Sequence, residues 1–369
     1  MRVLYISHGK ERSGWGQASR DYILAMDAVG IDVVPRFYEL NNSDPVPAKL
    51  EELAKKSSQG CDVVIQHLLP HYMCYDGRFK NIGIFAAETD NFSTTRWTEN
   101  LNLMDSVWVI NHDMVDACKK SNVTVPISVV PHTLDMSEFE RSYEPLKLPE
   151  LDDKFVFYFI GEFVRRKNIV TLLKAFHTEF EPWEPVALVI KTGLAGNNPQ
   201  AVADNFQEMS RQVKAGLKLY GNNYHREVVI VENLSRQQVL QLHASCDCFV
   251  MPSMGEAAPL PVLDALAMGR PVICTAVGGM KDMVNCENGW PVPHHLEPCF
   301  AAQGLADMYT ARENWAQVDQ LALREAMREA YSNKDLFAKK GLGAIESAYN
   351  YSYETIGGKI KSLLEESCG

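Results

Sequence analysis

The sequence predicts an α/β protein: two doubly wound domains joined by a linker and followed by a helical tail. Short β-branched and aromatic runs alternate with longer helical patterns, as a parallel sheet wrapped by helices requires. The alternation halts once, at "RSYEPLKLPELDDK", residues 141–154, which is rich in proline and charge and lacks periodicity. It then restarts. At 369 residues the chain is too long for one ordinary core and suits two.

Taken in order, "RVLYIS" is a strand, Gln17 to about Val29 a helix, and "DVVPRFY" a strand. "CDVVIQHL", "NIGIFAAE", "SVWVI" and "ISVVP" follow as strands, giving a first domain over 1–145. The second, over 154–335, opens with "KFVFYFIG" and a helix from about Asn168 to His177. "VALVIKT", "EVVIVE", "CDCFVMP", "RPVICT" and "NGWPV" complete its strands. From about Leu296 onward the pattern reads as helical, interrupted by glycines at "GLG" and "IGG"; residues 336–369 form a tail expected to cross back to the first domain. In such sheets the ligand lies at the carboxyl ends of the strands, here in the crevice between domains.

The composition, 46% hydrophobic and 22% charged, is that of a globular protein. A formal net charge of −11 argues against a protein that grips nucleic acid by its phosphates. No window approaches the apolar length of a membrane span, and the N-terminal apolar run is too short for a signal peptide. The nine cysteines show no disulfide spacing, and "ASCDCFV" has no second cluster to complete a zinc site. They read as free thiols of a cytoplasmic protein.

Three loops at strand ends could carry chemistry. "SHGKERSGWGQAS" brings Gly9, Gly14 and Gly16 just ahead of a helix, where glycines admit a ligand and the helix N-terminus favours an anion. The spacing is not a dinucleotide fingerprint, and a tight turn would explain the glycines equally well. In "IGEFVRRKNIV", Arg165, Arg166 and Lys167 fall between a strand end and a helix start. Three cations alone read as a solvated cluster, but at a strand's carboxyl end they could hold a diphosphate.

The third loop is "PSMGEAAPLPVLDALAMGRPV", with Glu256 and Asp264 eight positions apart. A helix beginning near Pro259 puts Glu256 in the loop and Asp264 one to two turns inside, too far apart to share a proton at roughly 1.5 Å rise per residue. They could touch two parts of one extended ligand, with free helix N–H groups between them on a phosphate. On spacing alone, dipole complementation by Glu256 and a solvated Asp264 would serve equally.

The two C-terminal stretches together, "GEFVRRKNIVTLLKAF" and "PSMGEAAPLPVLDALAMGRPVICTAVGGMKDMV", resemble the retaining, nucleotide-sugar-dependent glycosyltransferases of family 4 (glycosyl transferases group 1), with the GT-B fold of two Rossmann-like domains. The resemblance covers about Lys154 to Val292 well and the N-terminal half loosely, where "ETDNFSTTRWTENLNLMDSVWVINHDM" and "VVPHTLDMSEF" look like the acceptor-side domain. It implies that Lys167, with Arg166 and Arg165, contacts the donor diphosphate. Glu256 would lie near the donor sugar and Asp264 on the ribose. Amides around Ala258, Pro259 and Leu260 would face phosphate, and Gly14 and Gly16 would close over the donor. Three departures stand out. Glu162 replaces the usual arginine, Asp264 replaces a glutamate, and Glu88-Thr89-Asp90 stands where the family often has a histidine, so an acid is expected to take the acceptor-side work.

The resulting expectation is a retaining, metal-independent transferase, catalytic through Glu256, Lys167 and Arg166, with a UDP- or GDP-linked sugar as co-substrate and no cofactor. No Asp-x-Asp metal motif lies near the cleft stretches, and a glycosidase-like carboxylate pair would need a much closer approach. The acceptor would be a saccharide, a lipid-linked or another hydroxyl compound; a hydroxylated DNA base ranks lower on charge. Glu88, Asp90, His112 and His132 are its candidate contacts, although a lone histidine is more often structural. His294 and His295 sit between prolines and read as a surface loop. The rivals are a GT-B epimerase and a non-catalytic nucleotide-sugar-binding subunit. The C-terminal stretch "IGGKIKSLLEESCG" is only weakly amphipathic, thin support for a membrane anchor.

Overall fold

The computed structural model describes residues 1–11, 13–38, 46–299 and 309–368. Strands β1 (Arg2–Ser7), β2 (Asp32–Phe37), β3 (Val63–His67), β4 (Lys80–Ile84), β5 (Ser106–Val109) and β6 (Ile127–Val129) form one sheet in the order β2-β1-β3-β4-β5-β6, every neighbouring pair parallel. Strands β7 (Phe155–Glu162), β8 (Val186–Gly193), β9 (Val228–Ile230), β10 (Cys248–Met251), β11 (Val272–Thr275) and β12 (Gly289–Val292) form a second parallel sheet, ordered β12-β11-β10-β7-β8-β9. This is the expected α/β architecture of two doubly wound domains, the GT-B fold.

The sequence forms these sheets because parallel strands bury both faces and read as unbroken apolar runs. All five residues of β3 and all four of β10 are buried. Phe157, Phe159, Phe176, Leu188, Ile190 and Phe249 fill the second core; Val3, Tyr5, Ile23, Ile65 and Ile82 fill the first. The cysteines whose side chains are described are free thiols, and burial raises the Cys118 thiol to about 12.

The last helix, Tyr353–Cys368, lies on the first domain, where Ile356, Ile360 and Leu364 join the core that contains Val3 and Tyr5. Its Gly357 does not interrupt it. A Cβ there would lie 2.5 Å from the Ala25 carbonyl oxygen, so glycine lets this helix close on the Gly14–Ala28 helix. The glycines of "GLG" likewise fall inside an unbroken helix, Lys334–Ala348.

The helical reading from Leu296 onward is overturned in its first part. His294–Pro298 (β13) and Asn314–Val318 (β14) pair antiparallel, from His294 opposite Val318 to Pro298 opposite Asn314. His294 and His295 therefore open a strand, not a loop. Residues 300–308, between the strands, lie outside the described residues. Helical structure resumes at Gln320–Ser332. β13 is mostly exposed and carries none of the apolar periodicity that marks a strand in sequence. The hairpin reaches the first domain: Asp90 accepts from the Asn314 amide at 2.7 Å and from Asn314 Nδ2 at 3.0 Å, and Thr94 donates to Glu313.

The domains also meet at their strand ends. Asn111, the N-cap of the His112–Lys120 helix, donates through Nδ2 to the Ala257 carbonyl at 2.6 Å, while the Gly278 amide donates to Asp113 at 2.8 Å. The stretch 141–154 holds one short helical turn, Pro149–Leu151, and is tied down where the Leu146 amide donates to Ser245 Oγ at 2.7 Å.

Candidate functional site

At the carboxyl end of β7 the chain makes a single helical turn, Arg165–Lys167, then Asn168 in the left-handed region (φ 56°) before the Ile169–Glu179 helix. The loop after β10 is fastened beneath it, since the Met254 amide donates to the Arg166 carbonyl at 2.8 Å. These two loops bring Arg166 and Lys167 together on Glu256. Arg166 Nη1 and Lys167 Nζ reach the same oxygen, Oε1, at 2.8 and 2.7 Å. Arg166 Nη1 also donates to the Gly255 carbonyl at 2.5 Å, and its Nε pairs with Glu88 at 2.9 Å from the first domain. The result is a row of alternating charge, Glu88–Arg166–Glu256–Lys167, crossing the cleft.

Burial alone would raise the Glu256 carboxyl, whose residue is 5% exposed, but Arg166 and Lys167 outweigh it and hold it below its ordinary value. Glu88 is shifted upward, because burial there outweighs Arg166 and the like charge of Glu256 adds to it. The row can therefore stabilise an anion with fixed cations in a partly water-excluded place, where charge interactions are strongest.

Beyond Glu256 the chain runs through Ala258 and Pro259 into the Leu260–Ala267 helix, which has no side-chain cap. Pro259 and Pro261 carry no N–H, and the Val262 amide is used by the Pro259 carbonyl. That leaves the amides of Ala258 and Leu260 nearest the helix start. Gly14 faces this helix closely: a Cβ on it would be 3.9 Å from Leu260 Cδ1. Gly14 and Gly16 do not precede their helix as the sequence suggested; they form its first turn, capped by Ser13, whose Oγ accepts from the Gly16 amide at 3.1 Å. At Gly16 a Cβ would stand 2.1 Å from the Glu11 carbonyl oxygen, so the turn admits only glycine.

Asp264 is buried on this helix and has a separate partner. Arg236 grips it with Nη1 to Oδ2 at 2.5 Å and Nη2 to Oδ1 at 2.8 Å. No hydrogen bond joins Glu256 to Asp264, and each carboxylate has its own cations. Arg236 escaped the sequence reading. The signal was present in "SRQQ", where Ser235 and Gln238 form a capping box that starts the Arg236–Ser245 helix, following β9 at the ligand-binding end of the sheet.

The acceptor-side candidates are dispersed. Glu88 belongs to the charge row, and Asp90 is engaged by Asn314, with Lys120 at 3.4 Å. Both line a cavity between the domains together with Asn111, Glu256 and Gly278. His112 is exposed and bonds Asp282 at 2.9 Å. His132 is buried at the end of β6, 5.6 Å from Tyr22 and 6.4 Å from His67 between ring centroids. Burial lowers it to about 4, although the nearby Ala258 backbone works the other way. Around it, and also unforeseen, lie further unpartnered polar atoms: among the described residues His8 Nε2, His67 Nε2 and Trp15 Nε1 have no hydrogen-bond partner in the protein. A second cavity is lined by Gln17, Asp21, Arg236, Leu260, Asp264 and Tyr353.

Among the described residues no group of three or more histidine, cysteine, aspartate and glutamate side chains is placed to hold a metal. Nor is any helix among them long and apolar enough to cross a membrane.

A family model described as glycosyl transferases group 1 matches residues 142–330. A putative teichuronic acid biosynthesis glycosyltransferase, TuaC of Bacillus subtilis (strain 168), is 26% identical over 257 residues, 68% of this chain and 56% of that protein. N-acetyl-alpha-D-glucosaminyl L-malate synthase of Bacillus anthracis is 25% identical over 250 residues, 64% of this chain and 62% of that one. The match thus spans little more than half the length of these curated relatives. Among solved structures, Anabaena Alr3699/HepE in complex with UDP and glucose superposes with a TM-score of 0.67 at 13% identity, over 99% of this chain and 100% of the other.

Proposed function

The chain belongs to the glycosyl transferases group 1 family, and on that premise we propose that it moves a sugar from a nucleoside diphosphate sugar to an acceptor hydroxyl with retention of configuration. The observation that carries the reading is the convergence of Arg166 and Lys167 on Glu256 at 2.8 and 2.7 Å, beside the Leu260–Ala267 helix start and facing the Gly14 turn. In this reading Lys167 and Arg166, assisted by Arg165, hold the donor diphosphate, and the amides of Ala258 and Leu260 add donors. Glu256 lies at the sugar hydroxyls and Asp264 at the ribose. UDP or GDP is the carrier; a UDP complex of a similarly folded protein supports the former.

The anomeric carbon–oxygen bond to the diphosphate breaks, and the acceptor oxygen bonds to that carbon on the same face. The acceptor's proton passes to a leaving phosphate oxygen. The charge gathering on the diphosphate is met by cations already in place, worth about 10²–10³ in rate per donor in comparable anion holes. The reaction then needs no metal and no further cofactor. The acceptor, a saccharide or lipid-linked alcohol, enters by the cavity lined by Glu88, Asp90 and Glu256.

Calorimetric titration with UDP, GDP and ADP tests the donor class. One nucleotide is expected to bind selectively and to weaken in Lys167→Ala; binding of none would sink the proposal. With the matching nucleotide sugar, NMR of the product's anomeric proton reports retention, and unchanged rate in EDTA reports metal independence. Product formed without an acceptor would point to epimerisation instead.

A further inference from the structure

Three of the four exposed tyrosines among the described residues, Tyr38, Tyr72 and Tyr75, stand on two loops of the N-terminal domain. Tyr38 follows β2, and Tyr72 ends the single helical turn Pro70–Tyr72 that follows β3. β1 lies between those strands, and His8 follows it. The Tyr38 and Tyr72 rings are 5.6 Å apart and tilted 35° to each other, yet the residues stay 42% and 37% exposed. A single exposed ring is ordinary, whereas a paired set at the strand ends marks a contact surface.

The pair is held in place from below. His8 is buried; its Nδ1 is 3.2 Å from the Tyr38 carbonyl, and its ring meets Tyr38 and Tyr72 edge-on, at 5.5 and 6.4 Å between centroids. On the other loop the buried Gln66 side chain clamps Cys74, donating to its carbonyl at 2.7 Å and accepting from its amide at 3.0 Å. His71 is fixed by Trp97, whose Nε1 donates to its Nδ1 at 3.2 Å. Hydrogen-bonding capacity is left over: neither tyrosine hydroxyl bonds a described residue, and His8 Nε2 has no partner among them.

This chemistry selects a ligand class. Aromatic faces are apolar and negative, so they suit the C–H face of a pyranose, while the hydroxyls at the ring edges suit its O–H rim. A nucleic-acid base would also stack, but such sites set cations along the phosphates. Here the neighbours are imidazoles, and burial lowers His71 so that it stays neutral at pH 7. An acyl chain would leave the hydroxyls unused. Both loops leave the carboxyl end of the sheet, where Glu88 follows β4 to meet Arg166. β1 and β4 are two strands apart, roughly 10 Å, a span that a short row of sugar rings can cover.

We propose that Tyr38 and Tyr72 form a stacking platform for a neutral sugar ring, so that the acceptor is a saccharide that extends from the charge row across the ends of β3 and β1. The inference rests on the transferase reading for calling that saccharide the acceptor; the platform itself is testable without a donor.

The test is to probe an immobilised panel of neutral oligosaccharides of glucose, galactose, mannose and N-acetylglucosamine with the full chain, beside oligo(dT) and phosphatidylcholine vesicles. At least one oligosaccharide is expected to bind. Its affinity by calorimetry should fall about five- to tenfold in Tyr38→Ala and in Tyr72→Ala. Tyr72→Phe keeps the ring face and should lose less than about threefold. Trp183→Ala removes an exposed ring from the other domain and should change nothing. Binding of no oligosaccharide overturns the inference, as does binding that either alanine variant keeps in full while melting like wild type. Tighter binding of oligo(dT) or vesicles that the same alanines abolish overturns it too. The nucleotide titration separates the two readings: nucleotide bound without any sugar removes only the platform. Sugar bound without any nucleotide removes the transferase reading and leaves a saccharide-binding surface.

Discussion

The two lips of the cleft solve the burial of polar groups in opposite ways. On the C-terminal lip the charges are matched to one another: Glu256 with Arg166 and Lys167, Asp264 with Arg236, each within 2.8 Å. The N-terminal domain reaches that row only through Glu88; behind it the domain buries imidazoles and an indole, and several nitrogens of His8, His67, His132 and Trp15 have no partner among the described residues. Burial lowers both His67 and His132, so they stay neutral where Glu256 is held ionised. A matched lip is preorganised for charge, as a diphosphate requires. The neutral cluster holds hydrogen-bonding capacity that costs roughly 1–3 kcal/mol per buried group until water or a ligand meets it.

The contrast can be broken most severely from the charged side. Lys167→Ala should lower transfer by about 10²–10³, read as initial rate with saturating acceptor, because it removes one of the two cations that converge on Glu256. A loss of less than tenfold would mean that Lys167 does not meet the developing charge.

Glu88→Gln removes the carboxylate by which the N-terminal lip holds Arg166. The rate is expected to fall about tenfold, equivalent to ~1.4 kcal/mol. Small-angle scattering of the donor-free variant should show a larger radius of gyration, since an interdomain ion pair is gone. An unchanged radius would assign closure to the Asn111 and Asn314 contacts instead.

Acid sharpens the comparison from the neutral side. The folded His132 value of about 4 lies below the ordinary 6.5. Between those limits the unfolded chain therefore binds a proton that the folded chain refuses. Stability should fall as pH drops from 6.5 toward 4, by up to about 1.4 kcal/mol per unit from this group. Urea melts at pH 7, 5.5 and 4.5 should show a shallower decline in His132→Asn. His243, also lowered by burial to about 4, is present in both proteins and cancels. Parallel declines would show that His132 titrates normally.

The smallest effect is expected at Asp90→Asn. It loosens a partly exposed seam to Asn314 and Lys120 and should cost about 0.5–1 kcal/mol by thermal melting. A larger loss would mean that the hairpin clasps the domains more tightly than its contacts suggest.

Much of the fold was legible because its signals are local. The twelve strands of the two sheets announce themselves as apolar runs, since parallel strands are buried on both faces. The β13–β14 hairpin did not, because β13 is largely exposed and begins with His294-His295. The glycines of "IGG" looked like a break because sequence cannot distinguish a glycine that ends a helix from one that admits a neighbour; Gly357 is the second kind.

Sequence by itself determined the two sheets and the loop-to-helix passages at Arg165–Lys167 and after Glu256, whereas the helix expected from Gln17 begins at Gly14. Periodicity, proline and capping are decided within a few residues of chain. Only the tertiary structure decided which charge meets which. Arg166 found both Glu88 and Glu256, Asp264 found Arg236 rather than a place in solvent, and Asp90 was claimed by Asn314. Ion pairing depends on distance through space and on the water excluded around it, and neither quantity is written in the order of the residues.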